Sequence, residues 1–246
     1  DHLGGSAPSL ASALQDLDGD GDLDLITTGP VGLLVLLNDG HHHFAPKVTG
    51  GMPPGLRQAT SLLVMDVDGD QNLDILVQAR LLHLLLGNGK GDFVDHSVTH
   101  LGAAAGACCY RDAGDITGNG YPDLVLTDSG YSPPTLLIND GKGRFTDESA
   151  SRIKATTSIY PGNGAVLGDL DGDGDLDLIF YAMRKLTLYL NDGKGFFTAR
   201  AICSTIQPQS YTLNLTLADL DGDKDLDLVV PGEKVGQQLW LNDGKG

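Results

Sequence analysis

The chain has 246 residues, of which 41% are hydrophobic and 20% charged, and its formal net charge is −17. This size and composition allow a buried core within one domain, and no apolar run approaches the roughly 20 residues of a membrane-spanning helix. Lysine and arginine form no basic stripe with interleaved aromatic residues, which excludes the usual nucleic-acid-binding surface. We therefore expect a folded protein without a membrane span or a nucleic acid partner.

The acidic charge is concentrated in a nine-residue loop that occurs five times. Its copies are DLDGDGDLD at residues 16–24, DVDGDQNLD at 66–74, DITGNGYPD at 115–123, DLDGDGDLD at 169–177 and DLDGDKDLD at 219–227. These loops, numbered one to five below, hold 21 of the 33 Asp and Glu residues, so the rest of the chain is mildly basic. They begin 50, 49, 54 and 50 residues apart. Such a period is typical of a repeat protein with one small sheet per repeat.

In four of the five loops, carboxylates occur at positions 1, 3, 5 and 9, where they repel one another unless a cation lies between them. Clustered hard oxygen ligands favour calcium, and the glycine at position 4 suits a backbone that turns around an ion. Position 7 varies from Asp to Tyr, so we assign its ligand to the backbone carbonyl. The predicted ligand residues of up to five Ca²⁺ ions are Asp16, Asp18, Asp20, Asp22, Asp24, Asp66, Asp68, Asp70, Asn72, Asp74, Asp115, Thr117, Asn119, Tyr121, Asp123, Asp169, Asp171, Asp173, Asp175, Asp177, Asp219, Asp221, Asp223, Asp225 and Asp227.

Loop three has only two carboxylates, Asp115 and Asp123, and a lower ligand charge lowers calcium affinity. We expect this loop to lose its ion first. The loops are not EF-hands, because their twelfth residue, which would have to be a bidentate glutamate, is Thr27 in loop one and is not Glu in any other loop. A short β-branched and leucine-rich run ends each loop, which predicts a strand in place of a helix.

A second motif follows each acidic loop and reads LLNDGHHHF, LLGNGKGDF, LINDGKGRF, LNDGKGFF and LNDGKG. Its Asn-Asp-Gly or Asn-Gly core predicts a hairpin turn. A phenylalanine is expected to open the next strand, at Phe44, Phe93, Phe145 and Phe196. Each repeat thus contains four antiparallel strands, which predicts an all-β fold built from β-propeller blades.

The predicted repeats form a single domain at 1–246 and span about 9–50, 58–100, 106–152, 161–205 and 211–246. The last blade is expected to be incomplete, because the fifth repeat ends inside its Asn-Asp-Gly turn. Either the chain belongs to a larger propeller, or five blades close through an irregular strand. Further blades of the same or another chain are therefore expected partners.

The run D-x-D-G-D-x-D-L followed by L-x-N-D-G-x-G-x-F resembles the FG-GAP and VCBS-type repeats, and the resemblance covers all five units. Loop three, DITGNGYPDL, resembles the integrin-type variant, and the other loops resemble the bacterial type. The resemblance implies a calcium-stabilised propeller, usually with seven or eight blades. It also implies a secreted or surface protein used for adhesion or sugar binding.

Calcium is abundant outside cells, so a protein that needs several structural calcium ions is predicted to be extracellular, on the cell surface or periplasmic. We predict a non-catalytic adhesion or recognition module for glycans or proteins. The alternative is a propeller domain of a secreted hydrolase or polysaccharide lyase, although no G-x-S-x-G nucleophile motif occurs. Candidate ligand contacts are Tyr131 and Tyr211, which either stack on a sugar ring or pack between blades.

The histidines and cysteines have simple interpretations. The three histidines at 41–43 lie in the turn of the first repeat, where an exposed turn is favoured over a transition-metal site. Cys108 and Cys109 are adjacent on a predicted strand, and Cys203 stands alone. Buried free thiols are the simpler reading, and a bridge from Cys203 to one of the pair is the alternative.

Overall fold

The computed structural model describes residues 11–29, 32–47, 56, 59–106, 110–127, 133–154, 162–182, 185–203, 215–231 and 237–246. In these ranges the chain forms five antiparallel sheets, four with four strands and one with three. The predicted all-β class with four-stranded blades is confirmed. None of the helices within the described ranges has the length and apolar character needed to cross a membrane.

The chain divides into two compact units, of which the first contains residues 1–108 and 142–144. Blade one consists of β1 (Ser12–Gln15), β2 (Asp24–Gly29), β3 (Gly32–Asn38) and β4 (Phe44–Lys47). Blade two consists of β5 (Ser61–Met65), β6 (Asp74–Gln78), β7 (Leu82–Gly87) and β8 (Phe93–Asp95), and is followed by α1 (Ser97–His100) and a 3₁₀ helix at Gly102–Gly106. Strands of each sheet lie in chain order, so each blade is a simple up-and-down meander.

The second unit contains residues 109–141 and 145–246. Blade three consists of β9 (Tyr110–Gly114), β10 (Asp123–Leu126), β11 (Thr135–Asn139) and β12 (Phe145–Asp147), followed by α2 (Ser149–Arg152). Blade four consists of β13 (Gly162–Gly168), β14 (Asp177–Ala182), β15 (Lys185–Asn191) and β16 (Phe197–Cys203). The described strands of blade five are β17 (Thr216–Ala218), β18 (Asp227–Val230) and β19 (Gln238–Trp240).

Each acidic loop connects the first and second strands of its blade. Position 9 begins the second strand and pairs with the residue just before position 1, as Asp24 does with Gln15 and Asp177 with Gly168. The whole loop therefore closes one hairpin end, where an ion between its carboxylates would hold two strands together.

The hydrophobic cores lie between neighbouring blades of each unit. In the first unit, Ile26 and Val35 of blade one pack with Ile75, Val77 and Phe93 of blade two. Two corresponding clusters in the second unit join blades three and four and blades four and five. All residues of β6 and β10 are buried, so both faces of these strands carry buried side chains. This explains why these strands read as continuous apolar runs without alternation.

The sequence-based prediction is wrong for the strand opening of blade four. Phe196 was expected to begin the strand, but β16 begins at Phe197, which is 2% exposed, whereas Phe196 is 48% exposed. Counting from the turn asparagine, Phe197 is equivalent to Phe145 of blade three. Because successive strand residues face opposite sides, only one of two adjacent phenylalanines can enter the core. Phe196 instead lies beneath the Arg152 guanidinium, 5.0 Å from the ring centre.

The sequence motif F-x-D-x-S marks two short helices that the sequence analysis did not predict. Asp95 accepts a hydrogen bond from Ser97 N at 2.9 Å, and Ser97 Oγ accepts one from Leu84 N at 2.9 Å. Asp147 and Ser149 repeat this arrangement in blade three. The motif thus turns the chain out of the fourth strand into α1 or α2.

Candidate metal centres

The five acidic loops have almost the same backbone conformation. Position 4 is in the left-handed region in each loop, with φ of 78° at Gly19 and 69° at Gly118. Position 6 is also left-handed, including the non-glycine residues Gln71 (68°) and Lys224 (82°), which the sequence analysis did not anticipate. Conformations that cost energy for residues with a side chain persist where the surrounding loop imposes them.

Position 1 and position 5 shape the loop through backbone hydrogen bonds. Asp16 Oδ1 and Oδ2 accept hydrogen bonds from Gly19 N at 2.8 Å and Gly21 N at 3.0 Å. Asp20 Oδ1 accepts one from Asp22 N at 2.9 Å. The same bonds recur in loops two, four and five. The carboxylates therefore both fold the loop and face its centre.

Position 9 is the most buried carboxylate of each loop, at 0% or 1% exposure in all five copies. In loop four, Asp177 Oδ2 accepts a hydrogen bond from Leu170 N at 3.0 Å, and Oδ1 accepts one from Asn191 N at 2.9 Å. The equivalent bonds occur in the other four loops. Position 9 thus joins the start of the loop to the end of the third strand, a role separate from metal binding.

Four loops bring three carboxylates together with one oxygen of each within 4.8 Å of the others. These groups are Asp16, Asp18 and Asp24; Asp66, Asp68 and Asp70; Asp169, Asp171 and Asp177; and Asp219, Asp221 and Asp227. Like charges at such separations are unfavourable without a cation. The ligand residues predicted for loops one, two, four and five are therefore partly assembled in space.

Position 3 carries an unsatisfied oxygen in three loops. Asp18 Oδ1, Asp171 Oδ1 and Thr117 Oγ1 are buried and have no hydrogen-bond partner among the described residues. A buried oxygen without a donor costs free energy, so it normally has a partner such as an ion or a water molecule. All three atoms occupy the same place in the loop, which fits a cation bound there.

Charge and burial raise the pKa of the position 3 carboxyls. The pKa of Asp18 is raised first by burial and then by the charges of Asp20 and Asp24. The pKa of Asp171 is raised by burial and by the charge of Asp173. Such carboxyls bind protons when no other cation neutralises the loop.

Asp74 and Asp177, at position 9 of loops two and four, have the largest pKa shifts in the loops. Burial raises the pKa of Asp74 to about 7 and that of Asp177 to about 6, against the lowering effect of their two backbone N–H donors. A carboxyl whose folded-state pKa exceeds its unfolded value binds more protons when folded, so its contribution to stability falls as pH rises. Without metal, this loss spans the range from about pH 4 to about pH 7.

We therefore expect opposite pH dependences with and without calcium. Cation-free protein should melt at a higher temperature near about pH 5 than near about pH 7.5, because the folded state holds the extra protons. Calcium-saturated protein should melt higher at the more alkaline pH, because calcium binds the deprotonated carboxylates. Melting curves followed by circular dichroism in the two buffers measure both trends. A cation-free protein that is more stable at the alkaline pH would contradict this expectation.

Loop three differs from the others in the way its side chains are used. Asn119 Nδ2 donates to Asn139 O at 3.1 Å, and Asp123 Oδ2 accepts from both Ile116 N and Thr117 N. No group of three carboxylate, histidine or cysteine ligands occurs at this loop among the described residues. Its candidate oxygen ligands are more often neutral than those of the other loops, in agreement with the weaker calcium site expected from the sequence.

Position 7 directs its side chain away from the loop centre. A Cβ added at Gly193 would overlap the Asp175 carboxylate, and one added at Gly141 would meet Tyr121 Cε2 at 2.7 Å. The position 7 side chain therefore covers the first glycine of the turn in its own blade. This arrangement fits a ligand role for the backbone carbonyl in place of the side chain.

The Asn-Gly turns do more than reverse the chain, since they also dock on the preceding blade. Asn191 Nδ2 donates to Ile116 O of loop three at 2.8 Å, and Asn242 Nδ2 donates to Leu170 O of loop four at 2.7 Å. In the first unit, Gly91 N donates to Leu17 O of loop one at 3.1 Å. In each case the acceptor is the position 2 carbonyl of an acidic loop.

A basic residue of the preceding blade holds the same turn from the other side. Lys47 Nζ donates to Lys90 O at 2.9 Å, Arg152 Nη1 to Lys194 O at 2.5 Å, and Arg200 Nη1 to Lys245 O at 3.1 Å. These contacts are not evident from the sequence, because they join residues of neighbouring blades that are about 45 positions apart. The turn is thus fixed between an acidic loop and a basic side chain of one neighbour.

The remaining predicted residues lie mainly outside the described ranges. Tyr131, Tyr211, Cys108 and Cys109 are among the residues that the structure does not describe, and for Cys203 only the backbone is described. The histidines at 41–43 are exposed in the turn of blade one, as expected. They do not belong to any group of three potential metal ligands within the described residues.

Comparisons with known proteins give a family and a fold. The model of the FG-GAP-like repeat matches residues 16–77, 115–180 and 169–230, more than half of the chain. A search of curated protein sequences found no significant match. The three family matches all begin at position 1 of an acidic loop.

Two solved structures are similar over nearly the whole chain. One is an Agrocybe aegerita lectin, described for its specific recognition of non-reducing terminal N-acetylglucosamine. It is 24% identical, with a TM-score of 0.65 and coverage of 96% of this chain and 63% of the lectin. The other is BBS1N, solved in complex with ARL6DN, at 10% identity, a TM-score of 0.56 and coverage of 98% and 63%. The chain thus spans less than two thirds of either structure, and the similarity supports a β-propeller fold.

Proposed function

Because the chain belongs to the FG-GAP-like repeat family, we propose that it is a calcium-stabilised β-propeller module that recognises glycans or proteins outside the cell. The main support for this proposal is that buried side-chain oxygens at position 3 have no hydrogen-bond partner among the described residues, and that carboxylates cluster in equivalent loops. The extracellular, cell-surface or periplasmic location follows from the calcium concentration that weak, multiple sites require.

The proposed ligands are the residues at positions 1, 3, 5 and 9 and the position 7 carbonyl of each loop. Calcium accepts six to eight oxygen ligands in flexible geometry, which suits a loop of this kind better than the strict octahedron of magnesium. The ion would neutralise the clustered carboxylates, and the loop would then hold two strands at a fixed separation. Its role is structural, because binding adds to the free energy of folding. Loop three is proposed as the weakest of up to five sites.

The proposed recognition surface consists of the irregular connections at one end of the blades, since loops on a rigid scaffold commonly carry binding residues. These connections include 49–58, 98–107, 127–134 and 204–211, with Tyr131 and Tyr211 as candidate contacts to a sugar ring. The fold similarity to a lectin makes terminal N-acetylglucosamine the first ligand to test. We further propose that additional blades complete the propeller.

A glycan array in millimolar calcium tests recognition, with a parallel array in chelator. We expect calcium-dependent binding to a defined glycan, and loss of binding in the Tyr131→Ala, Tyr211→Ala double variant. The control is Tyr121→Phe, which changes a tyrosine of an acidic loop outside the proposed recognition surface. A blank array with folded, calcium-loaded protein would exclude glycan recognition and leave protein adhesion. Cleavage of a bound oligosaccharide would instead identify a hydrolase or lyase domain.

A further inference from the structure

A continuous series of hydrogen bonds joins acidic loops three, four and five in the second unit. It begins at Asp227 Oδ1, which accepts from Asn242 N at 2.8 Å, and Asn242 Nδ2 donates to Leu170 O at 2.7 Å. Leu170 N donates to Asp177 Oδ2 at 3.0 Å. Asn242 therefore contacts the position 9 carboxylate of its own blade and the position 2 backbone of the preceding loop.

The next step repeats the same geometry. Asp177 Oδ1 accepts from Asn191 N at 2.9 Å, and Asn191 Nδ2 donates to Ile116 O at 2.8 Å. Ile116 N donates to Asp123 Oδ2 at 3.0 Å. Asn191 is only 7% exposed, so water competes little for these bonds. The same hydrogen-bond pattern occurs in two consecutive blades, which indicates a regular structural connection between the loops.

We propose that Asn191 and Asn242 couple calcium binding in neighbouring acidic loops of the second unit. This inference rests on the calcium function proposed above. An ion in loop four would fix Asp177, which holds the main chain of Asn191, and the Asn191 side chain would then hold the backbone of loop three. Ordering one loop lowers the entropy lost when the next loop is ordered, which produces positive cooperativity.

Blade two provides an internal comparison for the side-chain bond. The position equivalent to the turn asparagine is Gly87, whose backbone N donates to Asp74 Oδ1 at 2.8 Å. Gly87 has no side chain to reach loop one, and contact with that loop is made by Gly91 N instead. The bond to position 9 is thus retained when the asparagine side chain is absent. Replacement of the side chain alone is therefore compatible with this fold.

Loop three contains a built-in reporter for the test. Tyr121 is at position 7 of this loop, whereas the other loops have Asp or Asn there. Terbium(III) binds oxygen ligands as calcium does and emits when an excited tyrosine lies close to it. Luminescence that disappears in Tyr121→Phe therefore measures occupancy of loop three, and competition with Ca²⁺ gives its calcium affinity.

The experiment is a double-mutant cycle on the intact chain. Asp171→Asn with Asp173→Asn disables loop four, and Asn191→Ala removes the proposed connection. In the native background, disabling loop four should weaken terbium binding at loop three about tenfold, within the usual range of coupling between sites. In the Asn191→Ala background the same change should have less than a twofold effect, because the two loops are already uncoupled.

Two controls keep the result interpretable. Asn191→Gly reproduces the residue that blade two uses, and replaces Asn191→Ala if that variant fails to fold. Asn38→Ala should leave the coupling unchanged, because Asn38 Nδ2 donates to Leu23 O of its own blade and contacts no other acidic loop among the described residues. Circular dichroism and the fluorescence of Trp240, the chain's single tryptophan, verify folding.

Equal weakening in both backgrounds would overturn the role of Asn191, and no weakening in either would overturn coupling altogether. If the acidic loops do not bind calcium, the result differs from both of these outcomes. The folded native chain would then give no Tyr121-dependent luminescence at any terbium concentration. That outcome would overturn both proposals, whereas the first two leave calcium binding intact.

Discussion

Removal of calcium with a chelator is expected to lower the melting temperature by about 20 °C or more. Each ion that binds only the folded state adds about 2.7 kcal/mol when its concentration is a hundred times its dissociation constant. The four loops with clustered carboxylates would together contribute about 11 kcal/mol, which is comparable with the whole stability of a typical domain. Differential scanning calorimetry in calcium and in chelator measures the change.

Restoring calcium in excess over the chelator should recover the original melting curve, which separates ion loss from irreversible damage. Magnesium should recover only part of it, because magnesium tolerates the loop geometry poorly. An identical melting curve in calcium and in chelator would rule out a structural role for the ions. It would also remove the basis for the coupling proposed between the loops.

The Asp177→Ala variant is expected to be destabilised by about 2–6 kcal/mol even without calcium, because two buried N–H groups would lose their acceptor at about 1–3 kcal/mol each. These groups are Leu170 N and Asn191 N. With calcium the loss should be larger, since one ligand is also removed. Urea unfolding in chelator and in calcium measures the two contributions.

Asp173→Ala is the matched control in the same loop. Asp173 is exposed, and its carboxylate accepts a hydrogen bond from Asp175 N of the same loop at 2.9 Å. We expect its substitution to lower the free energy of unfolding in calcium and to have little effect on that free energy in chelator. If both variants behaved alike in chelator, position 9 would have no structural role beyond metal binding.

The acidic loops, the strands around them and the antiparallel blades could be predicted because each depends on residues close in sequence. Ligand spacing, the position 4 glycine and the apolar runs are all local patterns. The double role of position 9 was missed, although the loops contain a signal for it. Loop three has lost the carboxylates at positions 3 and 5 but keeps Asp123, which fits a residue needed by the backbone.

Contacts between blades could not be predicted, because they join residues that the sequence pattern treats separately. The turn motif indicated a hairpin, and its sequence contains nothing about the loop on which it docks. Arg152 illustrates the difficulty, since it lies outside both repeated motifs and yet donates to the Lys194 carbonyl. Phe196 was misplaced although the motif spacing identifies Phe197, which follows the turn asparagine by the same number of residues as Phe145 in blade three.

Docking of each turn on the blade before it gives the repeat array a direction. Loss of blade five would expose the acidic loop of blade four by removing Asn242 from Leu170 O, whereas loss of blade three would leave the loop of blade four covered. During synthesis, loops three and four leave the ribosome more than 70 residues before the asparagine that contacts them, since Ile116 precedes Asn191 by 75 residues and Leu170 precedes Asn242 by 72. A nascent loop must therefore remain uncovered until the following blade has been made.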